Sequence, residues 1–332
     1  MTGFALSDVL AARRRIAGVA DGTPLVPSTL DLGGELLLKL EVAQPIGAFK
    51  LRGALSAVSA LPEDVPGVTC CSTGNHGRGV AYAARARGLR AVVCMSRLAP
   101  EAKVAGVRAL GADVRIVGDS QDAAQAEAQR LAREEGFVEI SPFDDPHVVA
   151  GQGTIGVELM DARPDLATLL VPLSGGGLAG GVAFAAKRIN PAVRVIGITM
   201  DRGAAMHASL QAGHPVEVTE VPSLADSLGG GIGLNNRLSF RLCQEFLDDV
   251  VLVNEQEIYR ALQSVYYEDR IVCEGACVVG IAALQAGKLS LAGPAATIIT
   301  GRNLDMALHA RVMAGEDIQL GGLTVKGQRY AA

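Results

Sequence analysis

Three groups of residues in this sequence have the types and spacing to do chemistry. Lys50 closes the run Gln44-Pro-Ile-Gly-Ala-Phe-Lys50 and opens a stretch whose apolar positions Leu51, Ala54, Leu55, Val58 and Leu61 follow helical spacing. A lysine at a helix N-terminus meets the positive end of the dipole, which disfavours an ammonium and favours the neutral amine that imine chemistry needs. Standing alone, such a lysine is usually a solvated surface residue. Ser72-Thr-Gly-Asn-His76 offers hydroxyls, an amide and backbone N–H groups ahead of a helix, which suits a carboxylate or a simple helix cap. Ser174-Gly-Gly-Gly-Leu-Ala-Gly-Gly181 follows an apolar strand and precedes an Ala-rich helix. Its glycines let the backbone approach an anion, and the helix N-terminus favours phosphate, whereas a tight turn with close packing is the competing account. Gly175, Gly177 and Gly180 also satisfy the dinucleotide fingerprint, with Asp201 beyond the next strand. A nicotinamide oxidoreductase is therefore the runner-up class, although it leaves Lys50 and the Ser72–His76 loop unused.

The elements that would position these groups alternate in type from about residue 68. Strand-like Val68 to Cys71, Leu89 to Met95, Asp113 to Val117 and Phe137 to Ile140 are separated by helical stretches. Those helices run from His76 to Arg87, from Pro100 to Gly111 and from Gln121 to Glu135, with Gly88, Gly111 and Gly136 as stops. A second series begins near Gln152, with strands at Leu169 to Leu173, Val193 to Thr199, Val250 to Val253 and Ala296 to Ile299. This is the pattern of parallel βαβ units. Ser141-Pro-Phe-Asp-Asp-Pro146 interrupts both periodicities and reads as a crossing between the two series. The expected fold class is α/β, with two open twisted parallel-sheet domains and a ligand in the cleft between them. Residues 65–145 would form a small domain inserted in a larger one made of residues 1–64 and 146–332.

Composition narrows the partners. The 332 residues are 49% hydrophobic and 20% charged, enough to bury a large core, and the 40 glycines cluster at strand-to-helix junctions. A net charge of −5, with no basic block beyond Arg13-Arg14-Arg15, gives no footprint for nucleic acid. Those arginines lie in a helix-like stretch from Ser7 to Ile16 that lacks the marks of a signal peptide and reads as a solvated face. The most apolar window, Leu169 to Ala186, contains a proline and a glycine run and falls short of a membrane span. Six cysteines without zinc spacing or disulfide density read as buried reduced thiols in a cytoplasmic protein. A small-molecule substrate is expected.

Taken together, Gly-Ala-Phe-Lys50-Leu-Arg-Gly-Ala54, Ser72-Thr-Gly-Asn-His76 and Ser174-Gly-Gly-Gly-Leu178 resemble the fold type II pyridoxal-phosphate enzymes. The Lys-Leu-Arg-Gly-Ala continuation is similar to threonine/serine dehydratases and serine racemase, and within the dehydratases most similar to the hydroxyectoine-utilisation branch. The resemblance runs from Thr23-Pro-Leu25 to Thr300-Gly-Arg-Asn303. It implies that Lys50 carries pyridoxal 5′-phosphate as a Schiff base and, when released, removes the α-proton. Phe49 would pack beside the ring, Asn75 bond the ring oxygen, Glu274 lie near the ring edge and Thr300 face the ring nitrogen. Ser174, Gly175, Gly176, Gly177 and Leu178 would hold the phosphate, and Ser72, Thr73, Asn75 and His76 would grip the carboxylate of an amino-acid substrate.

The activity implied is β-elimination of water from a hydroxy amino acid, giving a 2-oxo acid and ammonia. Thr73 stands where serine racemase places its second catalytic group, so racemisation is the alternative within the family. The resemblance also implies a homodimer. Thr199 and Ala205 stand where the serine racemase metal site has carboxylates, so no metal is expected there. Arg302 replaces a residue that is usually small, and either sits near the ring or turns to solvent. The short stretch after Thr300 leaves no room for the regulatory domain of biosynthetic threonine dehydratases.

Overall fold

The computed structural model describes residues 3–72, 74–99 and 101–331, with Ala102 and Gln121 described by their backbone alone. The chain opens with α1 (Leu6–Ile16), two short strands, β1 (Leu25–Pro27) and β2 (Leu36–Leu40), and α2 (Lys50–Ser59). The next stretch alternates β3 (Val68–Cys71), α3 (Asn75–Ala86), β4 (Ala91–Met95), α4 (Glu101–Arg108), β5 (Asp113–Ile116), α5 (Gln121–Glu135) and β6 (Val138–Glu139). Then come α6 (Pro146–Ala162), β7 (Thr168–Pro172), α7 (Gly177–Ile189), β8 (Arg194–Met200), α8 (Ala205–Ala212) and α9 (Leu238–Phe246). The strands β9 (Asp249–Val253) and β10 (Ala295–Ile299) flank α10 (Glu255–Tyr267) and α11 (Val279–Gln285).

Apart from a C-terminal antiparallel hairpin of β11 (Ile318–Leu320) and β12 (Leu323–Val325), the strands form two sheets. One is parallel throughout, in the order β5-β4-β3-β6. The other runs β1-β2-β10-β7-β8-β9 and is parallel except at its edge, where β1 pairs antiparallel with β2. That edge is a departure from the all-parallel expectation, and neither β1 nor β2 is visible as a strand in the sequence pattern. Lys39 interrupts the apolar run Leu36–Leu40, yet it is buried, because Glu158 on α6 binds its amine at 2.5 Å. A partner more than a hundred residues away thus permits a strand that local periodicity hides.

The Ser141–Pro146 segment also differs from its reading as an interruption. Pro146 starts α6, where its missing N–H costs nothing, and the Asp145 carboxylate accepts from the N–H groups of His147 and Val148. The resulting helix is buried along most of its length, between α2 and α7. Close approach is possible because Gly151 faces the Arg52 carbonyl and Gly156 the Val182 carbonyl, at spacings where an added Cβ would lie 2.5 and 2.7 Å from those oxygens. α6 thereby fixes the distance between the helix that Lys50 begins and the helix that Gly177 begins. Among the described residues, no helix is long and apolar enough to cross a membrane.

Candidate active site

The C-terminal ends of β3 and β6 in one sheet and of β7 and β10 in the other lead into one cavity of about 960 Å³, as expected for open α/β sheets. Lys50 and Phe49 border it from α2, and Ser72, Asn75 and His76 from the loop after β3. Ser174 to Leu178 border it after β7, and Glu274 and Thr300 complete the wall. The three motifs, which together span residues 50–178, converge there. Thr73, read as a second catalytic group, lies outside the described residues. Asp201 and Arg302 do not border the cavity, and Arg302 is turned to solvent.

Lys50 is the first residue of α2, and its Nζ donates one hydrogen bond, 2.7 Å to the Pro142 carbonyl. A neutral acceptor does little to hold an ammonium, so burial governs and lowers its pKa to about 8. Loss of hydration is therefore the cause, added to the position at a helix N-terminus expected from sequence. The Phe49 ring lies 5.4 Å from the amine, and the Phe49 N–H donates to the Thr300 carbonyl, which ties the lysine to the end of β10.

The glycine loop is held from behind by α9. Ser239 Oγ lies 2.9 Å from both the Gly175 carbonyl and Asn236 Oδ1, between which its one proton is shared, and Asn236 Nδ2 donates to the same Gly175 oxygen. Because a trans peptide points its C=O and N–H in opposite directions, the Gly176 N–H is aimed away from α9. Gly176 has φ +88°, and an added Cβ would lie 2.6 Å from Met206 Cε. Phe143 fills the space beside Gly175 and Gly177. Asp144, its neighbour, accepts from the backbone N–H groups of Arg237, Leu238 and Ser239, and so caps α9. Gly180, the third glycine of the dinucleotide pattern, faces Leu242, which makes it a helix-packing residue.

His76 requires a correction. Its Nε2 lies 2.8 Å from the Ile140 carbonyl, which can only accept, so that nitrogen carries the proton. Burial, assisted by the Lys50 charge, lowers its pKa to about 3, and Nδ1 is an acceptor without a partner among the described residues. Such a ring cannot donate to a carboxylate. What remains for carboxylate binding is the backbone N–H at the first turn of α3, together with Ser72, whose Oγ accepts from Gly74.

Asn75 is also more engaged than its sequence reading implies. Its Nδ2 donates to both oxygens of Glu274, at 3.0 and 3.1 Å, and its Oδ1 accepts from Asn303 Nδ2 at 2.6 Å. Burial raises the Glu274 pKa, while bonds from Asn75, the Asn303 N–H and Ser227 pull the other way. Thr300 is buried, with its hydroxyl 3.2 Å from Cys277 Sγ. Pro142, Phe143, Asn236, Ser239 and Cys277 carry no motif and were invisible as site residues in the sequence; Asn303 stood at the end of a quoted motif without a role.

These residues fit pyridoxal phosphate. A half-buried amine of lowered pKa, a glycine cradle that a side chain would fill, and an uncharged hydroxyl at Thr300 are what its aldehyde, phosphate and ring nitrogen need. Comparison with known proteins agrees. Residues 16–301 match the model of the family described as pyridoxal-phosphate dependent enzyme. A putative threonine dehydratase of Sinorhizobium fredii is 53% identical over 95% of this chain and 97% of its own length. An L-threonine ammonia-lyase of Thermotoga maritima is 40% identical over 93% of this chain and 78% of its own. Among solved structures, threonine deaminase isoform 2 of Solanum lycopersicum superposes with a TM-score of 0.87 at 35% identity, over 93% of this chain and 86% of that one. Maize serine racemase does so with a TM-score of 0.87 at 32% identity, over 93% and 96%. The chain belongs to the pyridoxal-phosphate dependent enzymes of fold type II, in their threonine/serine dehydratase and serine racemase group.

Proposed function

We propose that this chain is an ammonia-lyase that removes water from a 3-hydroxy amino acid to give a 2-oxo acid and ammonia. Threonine and serine are the substrates that the names of its relatives favour. The observation that carries the reading is Lys50, a half-buried amine whose pKa is lowered to about 8 and which has no acidic partner among the described residues, facing a cavity lined by the other two motifs. Lys50 would hold the cofactor covalently, Ser174 to Leu178 its phosphate, Asn75 its phenolic oxygen and Thr300 its ring nitrogen, with Phe49 and Glu274 beside the ring. When bound, pyridoxal phosphate draws electrons from the α-carbon and makes its proton removable.

The chain's own residues then divide the work. The first turn of α3 and Ser72 orient the substrate carboxylate through N–H and O–H donors and the positive end of the helix dipole. Lys50, its pKa lowered by burial, is neutral in an appreciable fraction near neutral pH and takes the α-proton. Thr300 offers a hydroxyl where a carboxylate would put a charge, which favours prompt loss of the β-hydroxyl over chemistry that needs negative charge to persist at the α-carbon. Racemisation would need a second base on the opposite face, the part that sequence assigns to Thr73.

The same reading takes residues 65–145, which carry the four-stranded sheet, as a small domain inserted between residues 1–64 and 146–332. A homodimer is carried over from the family resemblance, and a cytoplasmic location fits six buried cysteines. The test is ammonia and 2-oxo acid release by the yellow holoenzyme on threonine, serine, 3-hydroxyaspartate and a hydroxyectoine-derived amino acid. Turnover should be highest on one of the first two and fall by about 10³-fold or more in Lys50→Ala. A colourless protein, or a variant with undiminished turnover, would sink the reading.

A further inference from the structure

Asn303 closes the Thr300-Gly-Arg-Asn motif, and its side chain sits at the head of a directional chain of hydrogen bonds. Its Nδ2 donates 2.9 Å to the Ile46 carbonyl and 2.6 Å to Asn75 Oδ1. The Ile46 carbonyl can only accept, so the Asn303 amide has one permitted orientation, NH₂ toward Ile46. The neighbouring Asn75 must then turn its own carbonyl to Asn303 and its NH₂ away, toward Glu274. Glu274 closes the chain as an acceptor, because the Asn303 N–H and Ser227 Oγ donate to the same carboxylate at 2.8 and 3.1 Å. An amide that is free to flip offers oxygen or nitrogen with nearly equal ease, but every link of this chain has a fixed polarity.

We infer that Asn303 is a positioning residue that acts through Asn75: it fixes the Asn75 amide so that the NH₂ edge, never the oxygen, is presented to the cofactor. The inference rests on the reading of Asn75 as the partner of the cofactor's phenolic oxygen. One hydrogen on Asn75 Nδ2, shared between the two Glu274 oxygens at 3.0 and 3.1 Å, satisfies that carboxylate, and the second would be left for the phenolic oxygen. A donor there stabilises negative charge on the phenolic oxygen. Without it, the proton shared between that oxygen and the Lys50 nitrogen is bound more tightly, and the pH midpoint of the holoenzyme's visible absorbance rises.

Asn303→Leu keeps the size and removes the pin without adding charge; Asn303→Ser serves if the leucine variant does not accumulate. The absorbance midpoint of the holoenzyme should rise by about one pH unit, a tenfold change in the proton equilibrium. Asn75→Ala should raise it by a similar amount, and the double variant no further than Asn75→Ala alone. A lower melting temperature with an unmoved midpoint would show a structural role only and overturn the inference. So would additive shifts in the double variant. If Asn75→Ala itself leaves the midpoint in place, the reading of Asn75 fails first and takes the inference with it, which separates the two failures.

Discussion

Lys50 and Arg52 lie two residues apart in the first turn of α2, and their surroundings are opposites. Lys50 has one neutral partner, the Pro142 carbonyl, and borders the cavity. Arg52 is fully buried and donates to Glu41, Glu158, Thr154 and Thr23, at distances between 2.6 and 3.1 Å. Lys39 completes the cluster through Glu158, so two cations and two carboxylates cancel inside the core. The difference teaches how this fold separates holding from reacting. On one side of the helix every donor is spent on a fixed acceptor, which pins α2 against β2 and α6; on the other an amine is kept without a counter-charge, and so keeps its reactivity.

The strongest way to break that division is to remove the pin. Arg52→Met leaves Glu41 and Glu158 with a single cation, Lys39, and should destabilise the protein by about 3–5 kcal/mol, since an uncompensated buried charge remains. Denaturant unfolding of cofactor-loaded protein measures it. A loss below about 1 kcal/mol would mean that water reaches the cluster and that it does not hold the helix. Replacing Lys39, Glu41, Arg52 and Glu158 together by apolar residues of matching volume should cost far less than Arg52→Met alone, because no charge is then stranded.

The same contrast explains what could be read from the sequence. The alternation between Val68 and Ile140 gave β3 to β6 within a few residues, because each strand is a short apolar run and left-handed glycines such as Gly88 and Gly136 stop the helices. The reactive side of α2 was equally legible, since Lys50, the Ser72–His76 loop and the glycine loop have composition that chemistry demands. The holding side was not. Lys39 hid β2, and Arg52 carried no role beyond its place in the Lys50–Ala54 motif, because the carboxylates that bury them come from the distant Glu158 and from Glu41 in a short turn. Phe143, Asn236 and Ser239 were missed for the same reason: their contacts with the glycine loop link loops and helix ends that have no period of their own. Where a motif residue has a long-range partner, as His76 has Ile140, its identity was readable and its protonation was not.

A smaller effect sharpens the Lys50 side. In the cofactor-free protein its pKa is about 8, against the ordinary lysine value of 10.5. Between those values an unfolded chain binds a proton that the folded one does not, so stability rises with pH across that window. Below pH 8 both states are protonated and the contribution is flat, at a cost of about 3 kcal/mol at most. Unfolding of the cofactor-free protein at a series of pH values should show this slope, and Lys50→Met should remove it. Lys39, also shifted downward by burial but paired with Glu158, should leave its own shallower slope in that variant. An unchanged profile in Lys50→Met would show that the amine is hydrated after all.

The smallest effect concerns the glycine loop, where holding and reacting meet at one peptide. Ser239 Oγ fixes the Gly175 carbonyl from α9, and that bond is what turns the Gly176 N–H to the opposite side. Ser239→Ala leaves Asn236 Nδ2, at 3.3 Å, as the carbonyl's remaining side-chain donor and should cost about 1 kcal/mol of stability. If the bond serves only the fold, cofactor affinity should be unaltered. If it aims the N–H at the phosphate, the affinity for pyridoxal phosphate should weaken about fivefold while the absorbance midpoint set by Asn75 stays where it is. Equilibrium dialysis of the variant separates these outcomes, and unaltered affinity would place Ser239 with Arg52, among the residues that hold.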